Sequence, residues 1–131
     1  MKVLLINAVC GTGSTGHIVA DIWKALKDQG HEAKVAYGVG QGRIVDPEDQ
    51  ICFNNKVGYY THNLLAKLTD KTGMYSKRQT KALLKKIDEF QPDIIHLHNL
   101  HGYYINYPIL FEYLAKKDIP VVWTLHDCWA Y

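Results

Sequence analysis

Residues 2–8 (KVLLINA) form an unbroken apolar run that opens directly onto Gly11-Thr12-Gly13-Ser14-Thr15-Gly16. An apolar run without alternation suits a strand covered on both faces, as in a parallel sheet. The glycine segment predicts a turn, with Ser14 or Thr15 placed to cap a helix. Ile18, Ile22, Ala25 and Leu26 then recur at helical spacing until Gly30 stops them, and residues 33–37 supply a second short strand. A strand, a helix and a strand joined by short connections make a βαβ unit, whose two strands must run parallel.

The rest of the chain continues this alternation. Residues 38–55 are rich in Gly, Asp and Pro and predict mainly loop, with at most a short strand at 51–53. Val57, Tyr60, Leu64, Leu65 and Leu68 keep a helical period. Ser76 and Gln79 form a capping-box pattern that opens a helix through Leu83, Leu84, Ile87 and Phe90, which ends at Gln91-Pro92. Residues 93–98 read as a strand, 108–117 as a helix with Ile109, Leu110, Tyr113 and Leu114 on one face, and 120–125 as a last strand. The fold class is therefore α/β, a Rossmann-like doubly wound parallel sheet in one domain over residues 1–131. Such a sheet needs a crossover helix after each parallel strand, so the chain is expected to be truncated.

Composition narrows the function classes. A net charge of +2 gives no global argument for nucleic acid, and no nucleic-acid-binding motif accompanies it. Cys10, Cys52 and Cys128 are odd in number and far apart, which fits a reducing compartment better than a disulfide framework. The opening apolar run is too short for a membrane span, so the cytoplasm is the expected location. Lys67, Lys71, Lys77, Arg78, Lys81, Lys85 and Lys86 beside the amphipathic 57–68 segment leave peripheral contact with the inner face of the cell membrane open, against the plainer reading of a solvated helix face.

Four features can carry chemistry. Gly11, Gly13, Ser14, Thr15 and Gly16, lying between a strand and a helix, form a G-x-G-x-x-G turn whose amides suit a phosphate; a bare structural turn is the alternative. No acidic residue stands where a dinucleotide ribose would want one, since Glu32 comes too early and Asp46 too late. In residues 93–98 a period of two puts Ile94, His96 and His98 on one face, with His98 at the carboxyl end, followed by Asn99 and His101. A zinc site is one reading of H-x-H-x-x-H; a buried His96 beside two crevice histidines is the preferred one, with no metal. His126 and Asp127 close the last strand, where they can hold a substrate oxygen or move a proton, or simply cap a helix. Tyr103, Tyr104 and Tyr107 are placed to stack on a sugar or to pack.

Residues 2–38, with the glycine turn and Gly30-His31-Glu32, resemble the start of GT-B glycosyltransferases of family 4. Pro92 to His98 and Thr124-Leu125-His126-Asp127 are similar to the two histidine-bearing strands of that family's amino-terminal domain. The resemblance implies a retaining transferase that moves a sugar from a nucleotide-sugar donor to a polysaccharide or lipid-linked acceptor, with no required metal or cofactor. It further implies that the glycine turn lies against the donor diphosphate and His126 against the transferring sugar. Asp127 and the 103–107 loop would border the acceptor, with His98, Asn99, His101, Tyr103 and Tyr104 as substrate-side residues. The donor nucleotide would belong mostly to a carboxyl-terminal domain missing here, so this piece alone is expected to be inactive. A stand-alone nucleotide-binding module, an NADP-dependent oxidoreductase half using Arg43, and a zinc hydrolase remain as alternatives.

Overall fold

The computed structural model describes residues 1–128 and is built around five parallel strands. These are β1 (Lys2–Asn7), β2 (Glu32–Tyr37), β3 (Gln50–Cys52), β4 (Ile94–Leu97) and β5 (Val121–Trp123), lying side by side in the order β3-β2-β1-β4-β5. Strand β1 is central, with Leu5 beside Val35 of β2 and His96 of β4. The order runs outward from β1 in both directions, which defines the doubly wound Rossmann-like sheet and puts its switch point between β1 and β4.

Alternation along β1 divides the core. Val3 and Leu5 pack with Val19, Ala20 and Trp23 of α1 (Gly13–Asp28) on one face. Leu4 and Ile6 pack on the other with Leu83, Ile87 and Phe90 of α3 (Lys77–Phe90) and Leu110 and Leu114 of α4 (Tyr107–Lys116). Removing Leu4, Leu5 and Ile6 from water stabilises the fold by roughly 1.5–3 kcal/mol each before entropic costs.

The phase of α1 differs from the predicted one. The helix starts at Gly13 behind Thr12, two or three residues ahead of a cap at Ser14 or Thr15. Its buried residues are Gly16, Val19, Ala20 and Trp23, while Ile18 and Ala25 are exposed. Gly16 sets this phase, because a Cβ there would lie 3.0 Å from Val9 Cγ2 and 3.2 Å from the Gly11 nitrogen. The helix rides on that close approach, and its apolar stripe follows from it. Trp23 then donates its indole N–H to the Ala33 carbonyl and to Asp49, each at 3.2 Å.

The predicted capping box is also absent. Ser76 precedes α3 in a left-handed conformation, and its hydroxyl lies 2.7 Å from His62 Nδ1 rather than on the α3 backbone. His62 Nε2 accepts from the Gly73 N–H at 3.3 Å, so the Nδ1–H donates to Ser76. This neutral imidazole clamps α2 (Lys56–Thr69) to the segment before α3, and burial lowers its pKa. α2 buries little else: its buried residues are His62 and Ala66, and Val57, Tyr60, Leu64 and Leu68 face outward. Strand β5, at the far edge, likewise leaves Val121, Val122 and Trp123 exposed.

Candidate functional site

One polar residue interrupts the apolar run of β1. Asn7 stands fully buried at its carboxyl end, where parallel sheets of this order collect ligands. Its amide nitrogen donates to the Val9 carbonyl at 2.8 Å and to Thr15 Oγ1 at 3.5 Å, and its Oδ1 accepts from the Asn99 N–H at 3.1 Å. Asn7 thereby joins the first turn of α1 to the segment that follows β4. Nothing in a pattern of apolar periodicity marks it, although a lone Asn in a buried strand is itself a signal of a paired amide.

The glycine motif divides into two pairs of roles. Gly11 and Gly16 are buried, and the Gly11 N–H donates to the Gly16 carbonyl at 3.1 Å. The Gly11 N–H is thereby taken up within the turn, and both glycines are closely packed, Gly11 lying against the Arg43 backbone at a φ of +62°. Gly13 and Ser14 are exposed, Thr15 half-buried, and no side chain caps the helix start. The first-turn amides of α1 thus present an uncompensated positive end toward the carboxyl edge. Cys10 lies buried under the turn, where burial pushes its thiol up to about 11.

Histidines occupy the adjacent strand ends. His96 Nε2 lies 2.8 Å from Thr124 Oγ1, its ring is 4.0 Å from that of His98, and His98 Nδ1 lies 3.1 Å from His126 Nε2. In the His98–His126 pair one nitrogen must donate and the other accept. His98 is buried, and that burial, with His96 and His126 beside it disfavouring a further positive charge, pushes its pKa down to about 3. His96 is lowered by the same causes, burial first and then His126. His98 is therefore a neutral residue near pH 7 that fixes the orientation of His126. Its own Nε2 is buried with no hydrogen-bond partner, as is Asn99 Oδ1.

Beyond the strands, His101 Nε2 meets Asp127 Oδ2 at 2.7 Å and ties the two loops together. Trp123 donates its indole N–H to the His98 carbonyl at 2.9 Å. His98, Asn99, His101, Trp123, His126 and Asp127 surround a hollow of about 10 Å³, room for about one water. The structure thus brings together His98, Asn99, His101, His126 and Asp127, and Asn7 connects them to Thr15.

Tyr104 does not belong with them. It is fully buried, its hydroxyl donates to the Asn99 carbonyl at 2.7 Å, and its ring packs on Phe53 and against Gly38. Tyr104 is a core residue that supports the loop, so the predicted sugar contact is corrected. Tyr107 sits at the start of α4 and donates to the Leu100 carbonyl at 3.2 Å. Tyr103 is half-buried and makes edge-to-face contacts with Tyr59 and His62 at ring separations of 5.9 Å.

The carboxyl end of β2 carries Tyr37, whose hydroxyl accepts from the Gly42 N–H and donates to Gln50 Oε1, both at 3.0 Å. The nearest buried carboxylate in sequence, Asp49, precedes β3 at the opposite edge of the sheet and pairs with Lys27 at 2.8 Å. It is a structural ion pair, and no ribose-binding acid stands at β2.

No helix among the described residues is long and apolar enough to cross a membrane. The sequence is similar to a colanic acid biosynthesis glycosyl transferase of Escherichia coli (strain K12), 22% identical over an alignment of 143 positions that covers 99% of this chain and 34% of that protein. The chain thus spans about a third of the length of that relative. The sequence model of Glycosyltransferase Family 4 matches residues 15–131, from the first turn of α1 through both histidine-bearing strands. With the parallel sheet, the glycine turn and the paired strand-end histidines in place, that match shows that the chain belongs to glycosyltransferase family 4.

Proposed function

We propose that the chain is the acceptor-side, amino-terminal domain of a longer retaining transferase of the cytoplasm, one that passes a sugar from a nucleotide-sugar donor to a polysaccharide or lipid-linked acceptor. The observation that carries this reading is the Asn7 network, which ties the first turn of α1, Asn99 and the His98–His126 pair to one edge of the sheet. A donor diphosphate at that edge would be met by the amides of Gly13, Ser14 and Thr15, where the helix dipole favours an anion. His126, held by neutral His98, would donate a hydrogen bond to the transferring sugar. Asp127, His101 and Tyr103 would border the acceptor. The nucleotide itself would be held by a carboxyl-terminal domain, and no metal or cofactor would be required. The exposed apolar residues of β5 are in keeping with further chain packing on that edge.

The test is His126→Ala in the full-length protein. Losing one directed hydrogen bond to a transition state lowers kcat by about 100- to 1000-fold, so transfer is expected to fall by at least about 100-fold with the circular dichroism spectrum unchanged. Activity within about threefold of wild type in a folded variant would reject the role of His126.

A further inference from the structure

The surface charge of the chain is divided far more sharply than its net value of +2 suggests. Eight of the fifteen Lys and Arg residues lie between Lys56 and Lys86, together with one of the thirteen acidic residues, Asp70. The remainder of the chain is correspondingly acidic. The same stretch carries the apolar stripe of α2, where Val57 is 76%, Tyr60 67%, Leu64 59% and Leu68 73% exposed. These residues recur at three- and four-residue spacing opposite His62 and Ala66, so the helix is amphipathic with its apolar side turned away from the core. A monomeric protein in water gains nothing from that orientation.

The basic residues border the stripe on both sides. Helical spacing puts Lys56 and Lys67 along one border. Along the other, Val57, Thr61 and Leu65 share a groove with Lys77 and Arg78 at the start of α3, and Lys81 and Lys85 extend that basic surface along α3. No acidic side chain occurs within α2. Apolar residues flanked by cations match a bilayer interface, in which the apolar side enters the acyl boundary and each Lys or Arg meets an anionic headgroup.

The geometry points to the α2–α3 face as a docking surface for an anionic lipid bilayer, with Val57, Tyr60, Leu64 and Leu68 inserted and Lys67, Lys77, Arg78 and Lys81 on the headgroups. This inference does not rest on the transferase reading. It has a consequence for it, because Tyr103, beside the candidate site, packs on Tyr59 and His62 of the same helix. A bilayer under α2 would lie next to the acceptor side.

Vesicle sedimentation tests it, using the full-length protein with phosphatidylcholine vesicles and with vesicles in which about a third of the lipid is phosphatidylglycerol. Partitioning onto the anionic vesicles is expected to be at least about tenfold stronger and to weaken as salt rises. The double variant Leu64→Glu with Leu68→Glu changes two solvent-facing positions, and should lose at least about tenfold of that partitioning while its circular dichroism stays native. Lys77→Glu with Arg78→Glu should lose a similar factor and most of the salt dependence. Equal binding to neutral vesicles, or unchanged binding by both variants, would overturn the proposal. Self-association of the wild type that the Leu variants abolish, with no vesicle binding, would overturn it in favour of a contact between two copies.

Discussion

Replacing Gly11 with alanine is expected to destabilise the domain by about 3 kcal/mol, because two independent costs fall on one atom. Gly11 has a φ of +62°, a conformation that costs an L-residue roughly 1–2 kcal/mol. The added Cβ would also overlap the carbonyl oxygen of Arg43, which is backbone and cannot swing aside as a flexible side chain would. Either the 38–45 loop moves or the turn reopens, and the Gly11–Gly16 hydrogen bond that orients α1 goes with it. In a domain of this size the loss corresponds to a fall in Tm of roughly 10 °C. Gly13→Ala is the control, since Gly13 has a φ of +65° but open space where the Cβ would go, so only the conformational cost of about 1–2 kcal/mol applies. Thermal unfolding of the two variants side by side separates packing from conformation. Equal losses would show that Gly11 has no special contact with the loop.

Acid is expected to weaken the fold steeply through its buried histidines. His98, His96 and His62 all have pKa values lowered by burial, so the folded state holds them neutral while the unfolded chain protonates them near 6.5. Below that pH the unfolded state binds more protons, and stability must fall as pH falls. The contribution of neutral His98 is complete above about 6.5 and is lost progressively down to its folded value of about 3. Between pH 7 and about 4 this single residue accounts for a loss of about 3 kcal/mol, with His96 and His62 adding in the same direction. Urea unfolding across that range measures it. A flat profile would mean that protons reach His98 in the folded protein without cost, and His98 would then not be the neutral support of His126.

Much of the architecture is legible from residue order. The apolar run of β1 at residues 3–6, the helix stop at Gly30 and the Gln91-Pro92 break are local signals, and each strand appears where its apolar residues stand, within a residue or two. The placement of His98 and His126 past parallel strand ends follows from the same pattern, because a period of two and a common strand direction leave their side chains nowhere else to collect. Apolar periodicity does not reveal the role of Asn7, which lies in partners eight and ninety-two residues away. The place of Tyr104 is not local information either, because an aromatic in a loop beside a site looks the same in sequence whether its ring faces solvent or fills the space left by Gly38.

Local periodicity and strand length are written into the order of residues, and they settle the α/β class, the parallel sheet and which edge gathers histidines. The phase of α1, the division of the glycine motif into packing and exposed members, and the turning of Ser76 from cap to clamp are set by contacts between segments distant along the chain. The direction of α2 belongs with these: its spacing announces an apolar stripe, but only the packing of His62 and Ala66 determines that the stripe faces out. Helical period says which residues share a side, and close approach between neighbouring elements says which side is inside.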